Sequence, residues 1–93
     1  MILHLVSPPV STAEELLGKL RRNPRDWRIE DLVQVAARQG LQVRNDGGSH
    51  YIFSAPGVDL HLSIPSRRPI KPIYIERFLE LIDRATSARQ ELP

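Results

Sequence analysis

The sequence predicts an α+β domain: two helices, then three short antiparallel strands, then a closing helix. Three observations predict it. Apolar residues recur at spacings of three and four over 13–20, 29–36 and 75–85, which lines one face of a helix each time. Val58, Leu60, Leu62 and Ile64 alternate with Asp59, His61 and Ser63, the period of a strand with one buried face. Gly47-Gly48 and Pro56-Gly57 separate strand-forming residues at short intervals, which favours an antiparallel meander over parallel crossovers. The helices are then expected on one face of a small three-stranded sheet.

The 93 residues make one small domain, and 41% apolar content is enough for a core. No apolar run approaches the roughly 20 residues needed to cross a bilayer. The apolar start Met1-Ile2-Leu3-His4 lacks the basic flank of a secretion signal, so a cytoplasmic protein with no membrane partner is expected. The absence of cysteine excludes disulfides and thiolate metal sites.

Residues 1–10 read as a poorly ordered leader, because Pro8-Pro9 forbids a helix. Ser11 and Glu14 have the spacing of a capping box and open a helix over 11–22, with Ala13, Leu16, Leu17 and Leu20 as its apolar stripe. Asn23-Pro24 stops it. A helix this short is marginal alone and must pack on something. The second helix is expected over 26–39, with Ile29, Leu32, Val33 and Ala36 on one face and Gly40 as its C-terminal glycine. Trp27 is expected to pack at the junction between the two helices. Strands follow at 41–45, 50–54 and 58–64, the first two joined by a tight turn at Asp46-Gly47-Gly48. Pro65 ends the third. Ser66 to Pro72 is a basic, proline-bounded loop, and Pro72 suits the first turn of the last helix. Glu80 and Arg84 form a favourable i,i+4 pair there, and Arg89 to Pro93 is expected to fray.

The net charge of +2 does not by itself indicate nucleic acid. Its distribution says more. Lys19, Arg21, Arg22 and Arg25 form one acid-free cluster, and Arg67, Arg68 and Lys71 another. Each reads either as a solvated loop or helix end, or as a phosphate-contacting surface. The histidines stand at 4, 50 and 61 with no metal-binding spacing, so neither a metal nor another cofactor is expected. His50 is the first ordered position after the glycine turn, where an imidazole can give or take a proton. His61 alternates outward on the third strand and reads as structural or incidental.

With Gly48-Ser49-His50 placed between the first two strands, the chain resembles the HicA toxins of HicA–HicB toxin–antitoxin pairs. The matching residues are Gly40, Arg44, Gly48-Ser49-His50 with Tyr51-Ile52-Phe53, Pro65, and Ile70-Lys71-Pro72 leading into an amphipathic helix. The likeness covers roughly residues 26–85. The helix over 11–22 resembles an addition found in one subgroup. What the resemblance implies is an α-β-β-β-α fold like the double-stranded-RNA-binding domain, preceded by that extra helix. The single domain then runs over 11–93, with its core at 26–88. The implied activity is an endoribonuclease that cleaves messenger RNA and is held inactive by a HicB-like antitoxin. The implied catalytic residue is His50, on a supporting turn of Gly47, Gly48 and Ser49. Candidates for RNA contact are Arg44, Tyr51, Arg67, Arg68 and Lys71.

RNA carries its own nucleophile, so the reaction needs a base, an acid and stabilisation of charge on phosphorus. The sequence leaves both the acid and the base role open to His50 and names no second titrating group. Two other readings stand beside the nuclease. One is a non-catalytic RNA-binding module that uses Arg67, Arg68 and Lys71 on A-form backbone. The other is a protein-interaction module that docks an acidic partner.

Overall fold

The structure is a computed structural model and describes residues 12–90. The leader 1–10, Ser11 of the expected capping box and residues 91–93 lie outside the described residues. The elements run α1 (Thr12–Arg22), α2 (Ile29–Arg38), β1 (Gln42–Asn45), β2 (His50–Ala55), β3 (Val58–Pro65) and α3 (Pro72–Gln90). The fold is α+β: α2-β1-β2-β3-α3 with α1 added in front, as expected.

The three strands form an antiparallel sheet in the order β1-β2-β3. The register pairs Val43 with Phe53 and Phe53 with Leu62, and it pairs Arg44 with Ile52 and Ile52 with Ser63. Alternation therefore sorts the side chains onto two faces. Leu41, Phe53, Ala55, Leu62 and Ile64 are buried on one face, against Leu32, Val35, Ile75, Phe78 and Leu81 of the helices. Phe53 and Phe78 meet edge to face, with ring centroids 5.3 Å apart and planes at 76°. α3 packs on β3 and β2, α2 packs on β1, and α1 packs mainly on α2. The opposite sheet face carries Arg44, His50, His61 and Ser63, all exposed.

Three local expectations change. The second helix begins at Ile29, not at 26. Asp26 adopts a left-handed backbone (φ 66°), and Trp27 forms a bridge with Ile70 instead of entering the helix. Asp31 then caps the delayed start, its carboxylate accepting the Arg28 backbone N–H at 3.1 Å. The link between β1 and β2 is not a two-residue turn. The strands stop pairing at Asn45 and Tyr51, and Asp46 to Ser49 form a wider loop in which Gly47 holds a φ of 89°. The closing helix runs on through Gln90, past the expected loss of order at Arg89, whose guanidinium donates to the Gln39 carbonyl at 2.9 Å, at the C-terminus of α2. Trp27 is half-buried against the core, and its indole N–H donates to the Asn23 carbonyl at 2.6 Å.

Candidate functional site

The loop before β2 is built by two consecutive polar side chains. Asn45 Oδ1 accepts the Gly47 N–H at 2.8 Å, and its amide donates to the carbonyls of Gly48 (3.3 Å) and His50 (3.2 Å). Asp46 Oδ1 accepts the Gly48 N–H at 2.8 Å and the His50 N–H at 3.3 Å. Asn and Asp side chains favour such bonds to backbone two residues ahead. The backbone N–H of Gly48, with the His50 N–H and nearby imidazole adding to it, holds the Asp46 carboxyl below its usual value. It stays charged at neutral pH.

This loop fixes His50. Its Nδ1 lies 3.3 Å from Ser49 Oγ and 3.9 Å from Asp46 Oδ2. The second distance is too long for a hydrogen bond, but it places a negative charge beside that nitrogen. In the tautomer that carries its proton on Nδ1, Nε2 keeps its lone pair free. Nε2 makes no hydrogen bond among the described residues, and the side chain is 46% exposed. A half-exposed imidazole with one nitrogen oriented and the other open can take a proton from a bound hydroxyl.

Arg44 shares the face of His50, on the diagonal across β1 and β2, with Cα atoms about 7–8 Å apart. Tyr51 does not: it points to the helix-covered face and packs against the core. His61 is on the outer face, but four residues from Pro65, the cross-strand partner of His50, hence about 13 Å along the strand. Among the described residues no cluster of His, Cys, Asp or Glu could hold a metal ion.

Beside the histidine the chain turns into the basic loop. His50 pairs with Pro65, and the Ser66 N–H donates to the Ser49 carbonyl at 2.7 Å. From Pro65 a groove of about 680 Å³ opens, lined by Arg67, Arg68, Pro69, Ile70, Lys71, Pro72 and Tyr74, with Arg25 and Asp26 on its far side. The Ile70 N–H, bonded to the Trp27 carbonyl at 2.8 Å, pins the loop to the link between α1 and α2. Arg68 is turned towards Glu30 at 3.4 Å. The Glu30 carboxyl lies below its ordinary value, chiefly through its own backbone N–H at the start of α2 and then through Arg68.

The sequence named His50, its turn of Gly47, Gly48 and Ser49, and Arg44, Tyr51, Arg67, Arg68 and Lys71 as candidates, without assigning them a common surface. It counted Arg25 only in the cluster with Lys19, Arg21 and Arg22, solvated or phosphate-contacting, and gave no functional role to Asp46 or Tyr74. The signal for Asp46 was present in the Asn-Asp-Gly-Gly run, whose side chains favour local backbone bonds. Arg25 and Tyr74 meet only through the Trp27–Ile70 bridge, which has no local sequence signature. No protein-family model, curated protein or solved structure matches the chain.

Proposed function

We propose that the protein is a HicA-like toxin, an endoribonuclease that cleaves messenger RNA in the cytoplasm and is restrained by a HicB-like antitoxin. The observation that carries this reading is the geometry of His50: Nδ1 faces Ser49 and Asp46, Nε2 is open, and a cationic groove begins at the next strand. The likeness of Gly48-Ser49-His50 and its setting to the HicA pattern supplies the reaction class.

In this mechanism His50 Nε2 removes the proton of a ribose 2′-OH. The 2′-oxygen attacks the adjacent phosphorus, a new P–O bond forms, and the bond from phosphorus to the 5′-oxygen breaks. The leaving 5′-oxygen takes up a proton from solvent water and departs as a hydroxyl, leaving a 2′,3′-cyclic phosphate. Arg44 lies within one side-chain length of His50 and stabilises charge on the phosphoryl oxygens. Asp46 stabilises the imidazolium that forms. An antitoxin restrains the enzyme by covering the open sheet face over His50.

The test is induced expression of the wild type beside His50→Ala in a bacterial host, with growth and RNA integrity followed together. The purified proteins are then compared on an RNA substrate. The expected result is arrest and cleavage by the wild type, and a loss of about 10²–10⁴-fold in rate for His50→Ala. Equal cleavage by the two proteins removes His50 from the mechanism. A folded wild type that neither arrests growth nor cleaves RNA overturns the nuclease reading.

A further inference from the structure

The groove beside His50 carries more positive charge than the fold uses. Arg68 is paired with Glu30, but Arg25, Arg67 and Lys71 form no ion pair among the described residues. The three come from two separate segments, the link between α1 and α2 and the loop after β3. The Ile70–Trp27 backbone bond at 2.8 Å holds these segments together. Asp26 is the acid on the groove's lining. Such a cluster of unpaired cations is electrostatically unfavourable unless an anion is brought to it.

The wall is apolar as well as cationic. Tyr74 lies on it, half-buried, with its body packed against the core. Ile70 is fully buried beneath, and prolines 65, 69 and 72 add rigid apolar surface. Basic walls with an aromatic platform are how proteins hold single-stranded nucleic acid: cations track the phosphates, and a base stacks on the ring. The volume, about 680 Å³, is that of a pocket for a small molecule. It takes a nucleotide or two of an unpaired strand and is far too small to receive a double helix. The position also fits. Pro65 lies both on the groove and directly across from His50, about 4.8 Å away in the neighbouring strand. A strand seated in the groove therefore runs onto the imidazole.

We propose that this groove is the substrate subsite for single-stranded RNA, in which Arg25, Arg67 and Lys71 hold the phosphates flanking the cleaved bond and Tyr74 stacks on a base. The assignment rests on the ribonuclease reading of His50, and it deepens that reading by naming the form of RNA and adding Arg25 and Tyr74. It also has a chemical rationale. Attack by a 2′-OH needs the nucleophile in line with the leaving oxygen, a geometry that a flexible strand reaches and a stacked duplex resists.

The test measures binding in the full chain carrying His50→Ala, so that RNA survives the assay. The probes are a short fluorescent single-stranded oligoribonucleotide and its blunt duplex, followed by anisotropy over a range of salt concentrations. The single strand is expected to bind more tightly than the duplex. Arg25→Gln is expected to weaken single-strand binding and to reduce the slope of log K against log salt by about 0.7, the share of one phosphate contact. Tyr74→Leu is expected to weaken it about five- to hundredfold with the slope unchanged, and Tyr74→Phe to restore it, since the ring alone stacks. Thermal melts of each variant show that the fold is retained. Equal affinity for duplex and single strand, or parent-like binding by both Arg25→Gln and Tyr74→Leu, overturns the groove assignment. If that happens while the wild type still cleaves RNA through His50, the nuclease reading stands and the groove alone falls. If the wild type neither cleaves nor binds RNA, both fall together.

Discussion

Asp46 is the residue on which the site's geometry turns. One carboxylate oxygen accepts two backbone N–H groups, from Gly48 and His50, and the other faces the imidazole at 3.9 Å. The two jobs separate by substitution. Asp46→Asn keeps an oxygen acceptor for the loop but removes the charge beside Nδ1. It is expected to keep the fold and lower the cleavage rate, by less than His50→Ala does. Asp46→Ala removes both, and is expected to lose more activity and to broaden the amide signals of Gly48 and His50. The pH dependence has a definite sign. Because the Asp46 carboxyl is held below its ordinary value, its bonds favour the folded loop at every pH above the ordinary carboxylate range. That contribution is lost as pH falls below about 4, through the lowered folded value. Amide shifts of Gly48 and His50 followed through acid pH read that loss as a transition below about 4. The sequence showed His50 because a Gly-Ser-His run is visible as letters. It hid Asp46 because the letters also suit a bare turn, and only the loop's path brings the carboxylate back to the ring.

At the scale of elements, periodic stripes located the helices and β3, the flanking turn residues located β1 and β2, and the boundaries moved where backbone geometry overrode pattern. The start of α2 shows why. The helix expected from residue 26 does not form there, because Asp26 sits at φ 66° and Trp27 spends its carbonyl on the Ile70 N–H. The gain from tying the 66–72 loop to the α1–α2 link offsets the lost helical turn. Asp is among the few non-glycine residues that tolerate the left-handed region. A β-branched residue does not, so Asp26→Val is expected to cost about 1–3 kcal/mol, whereas Asp26→Gly is expected to be neutral or slightly stabilising. Urea unfolding of the two variants beside the parent measures the difference. If Asp26→Val matched the parent, the left-handed backbone at this position would be wrong. The same strain has a functional side: Asp26 orients the link that carries Arg25 over the groove.

For the molecule as a whole, the decisive fact is that the three described helices are on one side of the sheet. The inner face is closed by apolar contact and centred on Phe53 and Phe78, both fully buried. Among the described residues no helix lies over the outer face, which bears Arg44, His50 and Ser63. This division was legible in β3, whose strict alternation assigns its faces. It was not legible in β2, where Tyr51, Ile52 and Phe53 are apolar in succession and either parity would bury something. The β1 and β3 registers settle the parity: Phe53 goes in with Val43 and Leu62, so Ile52 and His50 go out. The two neighbours in β2 must then respond differently to truncation. Losing the ring on the inner side, by Phe53→Ala, removes a fully buried side chain and its edge-to-face partner. The expected cost is about 3–5 kcal/mol, a large part of the total stability of a domain this size. Ile52→Ala, one residue away, removes a side chain from the open face and is expected to cost about 1 kcal/mol or less, the span of strand propensity. Denaturant midpoints of the two variants test the parity directly. Similar losses at both positions would mean that the outer face is packed in solution, and His50 would then lie under a cover instead of on an accessible surface.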